Sequence, residues 1–338
     1  MRADETDVGG VLNTIGGSPL VRLDKLMPDA PFTLWAKLEA HNPGGSIKDR
    51  SALGMLIDRL RAGELRPGRS VVVESSSGNL GIGLAQVCRY FGIRFICVVD
   101  PRTNAQNIAV MRAFDAEVEV VTRTDPATGE YLPQRIRRVQ ELVATIPDAW
   151  WPDQYANPLN PRAHETTMRE IIEGVPTPLD FLFCATSSCG TLRGCADYAR
   201  RHELALTMVA VDAAGSAIFG DHTPRKRLIP GHGAAVRPKL YRDGLADKVV
   251  HVSDLDCVAG CRRLARREAV LAGGSSGAVV AAVEQLRNLI PAGATCALIF
   301  PDRGERYLNT IYDDDWVTTH FGDVTHLWRE RTMDGAPC

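Results

Sequence analysis

The sequence has 338 residues, which is longer than one typical domain and allows one large α/β unit or two lobes. Hydrophobic residues make up 45% and charged residues 24%, the ordinary composition of a soluble globular protein. The net charge of -2 excludes a general electrostatic attraction to nucleic acid or anionic lipid, so we expect neither as a partner.

Strand-like and helical patterns alternate along the chain. In chain order we predict strand 70–74, helix 79–91, strand 95–99, helix 104–114, strand 117–122, strand 181–184, helix 191–202, strand 207–211, helix 277–289 and strand 295–300. Repeated strand-then-helix units with short connections indicate a parallel sheet covered on both faces. Two stretches, 150–161 and 214–242, are rich in proline or glycine and are predicted to be irregular.

The chain ends and the cysteines predict a cytoplasmic protein. Residues 1–10 are acidic and lack the apolar core of a signal peptide, and no apolar stretch is long enough to cross a bilayer. The nine cysteines form no CxxC pair and no zinc-binding spacing with histidine. We therefore expect reduced thiols and no metal site.

A lysine follows a glycine-rich turn near the start of the chain. In segment 42–50, Asn-Pro-Gly-Gly-Ser-Ile-Lys-Asp-Arg, the turn opens directly into a helical pattern, so Lys48 is predicted at a helix N-terminus. The positive potential there lowers the pKa of an amine and frees it to attack an aldehyde. A solvated lysine in a capped first turn is the alternative that this segment leaves open.

Three later segments of small and polar residues each lead into a predicted helix. Segment 74–81 offers three hydroxyls and the Asn79 amide, which suit a carboxylate and a phenolic oxygen. Segment 185–191 lets the backbone close around a phosphate, and 272–277 carries Ser275, whose hydroxyl suits a ring nitrogen. Open parallel sheets bind ligands at the carboxyl ends of their strands. A capped helix or a polar turn is the alternative for each segment alone.

Two common nucleotide-binding motifs are absent. No Lys-Ser/Thr pair follows Gly190, so segment 185–191 is not a Walker A loop. No GxGxxG follows a predicted strand, which disfavours a nicotinamide or flavin oxidoreductase.

Taken together, the four segments resemble the tryptophan synthase β/cysteine synthase family of pyridoxal-phosphate enzymes, which has fold type II. The resemblance runs from about Leu12 to Tyr307. It includes an opening motif at 13–22, Asn-Thr-Ile-Gly-Gly-Ser-Pro-Leu-Val-Arg, and a closing motif at 301–308, Pro-Asp-Arg-Gly-Glu-Arg-Tyr-Leu. It implies pyridoxal 5'-phosphate as the cofactor.

The resemblance also implies a role for each motif residue. Lys48 would bond covalently to the cofactor and later move the proton of the substrate α-carbon. Asn79 would bind the phenolic oxygen, and Ser275, with Ser276 as the alternative, would meet the pyridine nitrogen. The phosphate loop would be Ser187, Ser188, Cys189, Gly190 and Thr191, and the substrate α-carboxylate would bind to Ser75, Ser76, Ser77 and Gln154.

The implied fold is α/β, with two three-layer αβα lobes, mostly parallel sheets and the cofactor between them. The larger lobe would combine residues 1–49 with 167–338, and residues 50–166 would form a smaller, mobile substrate lobe. The family also implies a homodimer.

Several departures from ordinary cysteine synthases resemble one branch of the family. Ser76 and Leu80 stand where threonines are usual, and the phosphate loop reads Ser-Ser-Cys-Gly-Thr instead of Gly-Thr-Gly-Gly-Thr. That branch joins O-phospho-L-serine to L-glutamate, with release of phosphate, in 2,3-diaminopropionate and siderophore biosynthesis. The alternatives are cysteine synthase using O-acetylserine or O-phosphoserine, β-cyanoalanine or cystathionine formation, and a cofactor-binding regulator without turnover.

The two substrates of that branch carry several negative charges, which guanidinium groups pair with well. Candidate cations near the predicted mouth are Arg135, Arg137, Arg138, Arg193, Arg225, Lys226 and Arg227. For most of them a solvated helix face is the simpler interpretation. We select Arg135, Tyr155 and Ser188 as candidate substrate contacts.

Overall fold

A computed structural model describes residues 8–126, 129–220 and 227–329. Its strands are β1 (Leu20–Arg22), β2 (Thr33–Leu38), β3 (Val71–Ser75), β4 (Arg94–Val99), β5 (Glu117–Val120), β6 (Ala149–Trp150), β7 (Phe181–Ala185), β8 (Thr207–Ala213), β9 (Lys248–Val252) and β10 (Thr295–Phe300). Its α-helices are α1 (Lys48–Arg61), α2 (Asn79–Tyr90), α3 (Ala105–Ala113), α4 (Leu132–Thr145), α5 (Leu159–Ala163), α6 (Glu165–Gly174), α7 (Gly190–Arg201), α8 (Asp254–Glu268), α9 (Gly274–Leu286) and α10 (Asp314–Phe321).

The strands form two separate sheets. The larger sheet has the order β1-β2-β10-β7-β8-β9, and only the edge strand β1 is antiparallel to its neighbour. The smaller sheet has the order β5-β4-β3-β6 and is parallel throughout. The larger sheet draws strands from both halves of the chain, whereas the smaller one lies wholly within residues 71–150. The predicted α/β fold with two lobes and mostly parallel sheets is confirmed.

Both faces of the smaller sheet are covered, which explains why β3 is an unbroken apolar run. Val72 packs on one face with Met55 of α1 and Leu84 of α2. Val71 and Val73 point to the other face, where they pack against α4. Alternate residues of a strand point to opposite faces, so a strand covered on both sides needs an apolar residue at every position.

The larger sheet is covered in the same way. Phe183 of β7 belongs to the cluster that includes α8 and α9, while its neighbour Leu182 belongs to the cluster that includes α6 and α7. Each lobe is therefore a three-layer αβα sandwich. The exact lobe boundaries near residues 49 and 166 stay a prediction.

The predicted elements agree with the structure to within a few residues at their ends. The largest difference is α9, which starts at Gly274 instead of residue 277 and so takes Ser275 into its first turn. The proline-rich stretch 150–161 is mostly loop, as predicted, but its end forms the start of α5. Several amphipathic elements, such as α4 and α8, were not predicted from the sequence.

All eight cysteines in the described part of the chain are buried and unpaired; Cys338 lies outside it. Within the same residue ranges, no three His, Cys, Asp or Glu side chains group as they would around a metal ion. None of the helices seen in the structure is long and apolar enough to cross a membrane.

Candidate active site between the two sheets

A cavity of about 370 Å³ lies where the carboxyl ends of strands from both sheets meet. Its walls come largely from the segments that follow β3, β4, β7 and β10. This is the edge at which parallel sheets bind ligands, because strand ends and helix N-termini converge there.

The cavity brings together the residues that the sequence analysis selected for the site, apart from the alternative Ser276. The lining residues include Lys48, Ser75, Ser76, Ser77, Asn79, Arg135, Gln154, Tyr155, Ser187, Ser188, Cys189, Gly190, Thr191 and Ser275. Ser276, the alternative to Ser275, is fully buried and is not among the lining residues. The individual roles of these residues remain predictions.

Lys48 is the first residue of α1, as the sequence predicts. Burial lowers the pKa of its amine, and the nearby Cys184 and Asp302 oppose that shift. Burial, more than the helix terminus, therefore favours the neutral amine that can attack an aldehyde.

Three helix N-termini at the cavity lack a side-chain cap. The first residues of α2, α7 and α9 line the cavity or lie beside residues that do, and none of these helices has an acidic residue in its first turn. Gly81 of α2 and Gly190 of α7 donate their N–H groups to the Ser76 and Ser188 hydroxyls, at 3.0 Å and 3.4 Å. The positive dipole ends and the remaining first-turn N–H groups are available to an anion. The arrangement suits a ligand that carries both a phosphate and a carboxylate.

The loop before α7 is shaped to leave no room for larger side chains. Cys189 adopts the left-handed conformation with φ of 64°, which turns the chain into the helix. A Cβ added to Gly190 would lie 2.5 Å from the Asn160 amide oxygen. The Asn160 side-chain amide also donates to the Ser188 hydroxyl at 3.4 Å, so Asn160 supports the loop at two of its residues.

A buried carboxylate holds the segment after β3. Glu74 accepts hydrogen bonds from the backbone of Ser75 at 2.8 Å, from the Trp151 indole at 2.9 Å and from the backbone of Gln154 at 3.3 Å. It thereby connects two parts of the predicted carboxylate site, although the sequence analysis gave it no role. Burial raises its pKa to about 7.

Replacing Glu74 by glutamine is expected to change how stability depends on pH. The native state holds the Glu74 proton more tightly than the unfolded chain, whose carboxyl has a pKa near 4.5. Raising the pH from about 4.5 to about 7 should therefore destabilise the wild type relative to Glu74→Gln by about 3 kcal/mol. Below and above that pH window, the difference in unfolding free energy between the two proteins should be constant.

Urea unfolding of both proteins from pH 4.5 to pH 8 measures this difference. Asp49, whose pKa burial also raises to about 7, is present in both proteins and cancels in the comparison. If the stabilities of the two proteins ran parallel from pH 4.5 to pH 7, the raised pKa of Glu74 would be contradicted.

The candidate cations separate into two groups. Arg135 and Arg227 line the cavity. The others within the described chain pair elsewhere: Arg137 with Asp125, Arg138 with Glu119 and Glu141, and Arg193 with Asp197. Arg225 and Lys226 lie outside the described residues.

The guanidinium of Arg135 forms an ion pair within its own lobe and keeps a buried donor unpaired. Its Nη1 atom lies 3.2 Å from an Asp100 carboxylate oxygen, and its Nε atom is buried without a hydrogen-bond partner. The Nε donor can serve an anionic ligand, because a buried guanidinium gains from each N–H that it pairs.

The sequence analysis gave no site role to three residues of its own closing motif that line the cavity. Asp302, Arg306 and Tyr307 belong to the closing motif, and all three line the cavity. The rule that ligands bind after the carboxyl ends of parallel strands could have identified Asp302, since it follows the predicted strand 295–300 by two residues.

Comparison with known proteins relates the whole chain to a family of enzymes. The family model described as "Pyridoxal-phosphate dependent enzyme" matches residues 11–302. A relative in Ralstonia nicotianae, N-(2-amino-2-carboxyethyl)-L-glutamate synthase, is 44% identical over 308 residues, which cover 91% of this chain and 90% of the relative.

Solved structures share the whole fold. The O-acetylserine dependent cystathionine β-synthase of Helicobacter pylori is 30% identical with a TM-score of 0.83, and the match covers 90% of this chain and 99% of that one. The cysteine synthase of Entamoeba histolytica is 29% identical with a TM-score of 0.83, and the match covers 90% of each chain.

Proposed function

Because the chain belongs to the family of pyridoxal-phosphate dependent enzymes, we propose that it joins O-phospho-L-serine to L-glutamate, giving N-(2-amino-2-carboxyethyl)-L-glutamate and phosphate. In this β-replacement the bond between the serine β-carbon and the phosphate oxygen breaks. A bond from the same carbon to the glutamate nitrogen forms, and that nitrogen loses a proton. The observation that carries the proposal is the 44% identity to an enzyme of that name along nearly the whole of both chains.

The residues of the cavity fit the cofactor. Lys48 supplies an amine whose neutral form burial favours, and the start of α7 supplies its positive dipole end and first-turn N–H groups for the phosphate. When bound, pyridoxal phosphate withdraws electrons from the α-carbon of the amino acid attached to it. We assign to Lys48 the uptake and return of the proton of that carbon.

The segment after β3 supports binding of the donor amino acid. The Ser75 hydroxyl is buried without a hydrogen-bond partner, and the Ser76 hydroxyl accepts a bond from the backbone of Gly81 at 3.0 Å. Ser76 therefore shapes the turn, while Ser75 keeps its hydroxyl available. We assign the α-carboxylate of the donor to Ser75, Ser76, Ser77 and Gln154.

Replacing Arg135 by alanine is expected to lower kcat/KM for O-phospho-L-serine by about tenfold, which corresponds to loss of one charge-assisted hydrogen bond. Use of O-acetyl-L-serine, which lacks the phosphate, should change much less. The absorbance of the bound cofactor should persist, because Arg135 pairs with Asp100 outside the phosphate loop.

Arg137→Ala is the matched control. Arg137 lies on the same helix, but it contacts Asp125 and is more than half exposed. The control should keep wild-type kinetics with both donors. Equal losses with the two donors in Arg135→Ala would rule out a contact to the phosphate.

The decisive test of the proposed reaction is product analysis. The cofactor-loaded protein is supplied with O-phospho-L-serine or O-acetyl-L-serine, each with L-glutamate or sulfide, and products are measured by mass spectrometry and phosphate release. We expect the glutamate adduct and phosphate to form fastest from O-phospho-L-serine. Faster formation of cysteine from sulfide would establish cysteine synthase as the activity instead.

Cysteine synthase, the second candidate activity, has some support from fold similarity. The structures of a cysteine synthase and of an O-acetylserine dependent cystathionine β-synthase match about nine tenths of this chain. Their identities of 29% and 30% are lower than that of the glutamate-using relative.

We further propose a cytoplasmic homodimer in which residues 50–166 move as a lobe toward residues 1–49 and 167–338. Closure of that lobe would exclude water from the reacting atoms, which protects an electrophilic carbon from hydrolysis. Light scattering of the purified protein tests the dimer. Small-angle X-ray scattering with and without O-phospho-L-serine tests the closure.

A further inference from the structure

Two charged side chains from the closing motif hold the amide of Asn79. The Asn79 Nδ2 group donates to the Asp302 carboxylate at 2.8 Å. The Arg306 guanidinium donates to the Asn79 amide oxygen from the other side. Asn79 begins α2 in the smaller lobe, whereas both partners follow β10 of the larger sheet. The three side chains therefore form a clamp between the lobes.

The chemistry of the two partners permits one orientation of the amide. Burial raises the pKa of Asp302, whereas the hydrogen bonds from Tyr307 and Asn79 and the charge of Arg306 favour its ionised form. An ionised carboxylate only accepts hydrogen bonds, and a guanidinium only donates them. Turning the amide over would place its oxygen against Asp302 and its N–H groups against Arg306, so both bonds would be lost. The bond to Asp302 uses one of the two Asn79 N–H groups and leaves the other one free to bind a ligand.

The clamp residues are themselves fixed. The Tyr307 hydroxyl donates to the same Asp302 oxygen at 2.6 Å, and Arg306 donates through Nη2 to the Gly44 carbonyl at 2.5 Å. Gly44 precedes Lys48 by four residues in the same turn. The orientation of Asn79 is thus tied to the backbone that carries the reactive lysine.

We propose that Asp302 and Arg306 are positioning residues, which orient Asn79 so that it offers an N–H group, and not its carbonyl oxygen, to the phenolic oxygen of the cofactor. A donor at that place favours the ionised phenolic oxygen, and an acceptor would favour the protonated one. The two residues therefore control the charge state of the cofactor through Asn79. The inference requires the cofactor but neither substrate, so it does not depend on the proposed reaction.

Asp302→Asn tests this directly. Asparagine can donate as well as accept, so position 302 no longer distinguishes the two orientations of the Asn79 amide and only Arg306 still does. In the absorption spectrum of the bound cofactor, the band of the ionised phenolic form should fall about tenfold relative to the band of the protonated form. Asn79→Ala should give the same shift, and Asp302→Asn should add nothing further in the Asn79→Ala background.

A wild-type spectrum for Asp302→Asn, or full additivity of the two shifts, would overturn the proposal. If Asp302→Asn does not fold, Arg306→Lys decides the question by the same spectrum, since a single ammonium cannot bond to both Asn79 and the Gly44 carbonyl in the same geometry. Glu284→Gln is the control. It removes a carboxylate paired with Arg263 on α8, outside the cavity, and should leave the spectrum unchanged.

Discussion

Lys48→Ala should lose covalent attachment of the cofactor and reduce β-replacement on the order of 10³-fold or more. With the roles proposed for Lys48, two contributions would disappear together: the amine that bonds to the cofactor aldehyde, and the base that moves the α-carbon proton. The side chain is suited to both tasks because burial favours its neutral form. In the wild type, borohydride reduction should fix the cofactor on the peptide that contains Lys48, as read by mass spectrometry.

Lys248→Ala serves as the control, because that lysine starts β9 at the surface, away from the cavity. It should retain both the reduced adduct and full activity. Turnover that persists in Lys48→Ala, or an adduct found on another lysine, would contradict the assignment of Lys48.

Gly277→Ala is expected to destabilise the fold by at least about 2 kcal/mol. Helices α8 and α9 cross with their backbones in direct contact at two glycines. A Cβ at Gly277 would lie 2.0 Å from the Cys257 carbonyl oxygen, and one at Gly260 would lie 2.2 Å from the Gly277 carbonyl oxygen. The helices would have to separate, and the better helix propensity of alanine, about 1 kcal/mol, would not offset that cost.

The same substitution should weaken cofactor binding. Ser275 lies two residues before Gly277 in the first turn of α9, so separation of the helices would move its hydroxyl in the cavity. Urea unfolding measures the loss of stability, and titration with pyridoxal phosphate measures the loss of affinity.

Gly174→Ala provides the comparison. It also adds a methyl group to a helix, but the nearest atom, at 2.8 Å, is the far end of the Leu20 side chain, which can rotate away. Its cost should stay within about 1 kcal/mol. If the two variants were equally stable, close packing of α8 on α9 would not be the reason for glycine at position 277.

The order of strands and helices could be predicted because the buried positions of each element carry apolar residues in a local, recognisable pattern. The run Val71, Val72, Val73 shows a strand covered on both faces, and small residues after such strands mark the ligand edge. The helix α8 could have been found as well, since Ser253 caps it through the backbone of Asp256. The many arginines of α8 made the periodic spacing of its apolar residues hard to recognise in the sequence.

The cationic residues show where local patterns stop being informative. Arg135 and Arg137 lie two positions apart on one helix, yet only Arg135 lines the cavity. Sequence spacing places them on different faces of α4, but it does not say which face meets the ligand. That depends on how α4 packs on β3, a contact between distant parts of the chain.

The sequence by itself determined the alternation of strands and helices, the lysine at a helix start and the polar segments at strand ends, because each depends on neighbouring residues. Only the tertiary structure decided which distant side chains meet. Asn79 and Asp302 are 223 positions apart, and their hydrogen bond exists because two separate sheets present their carboxyl ends to one cavity. Such a contact leaves no periodic signal in the chain, since the relative placement of the lobes determines it.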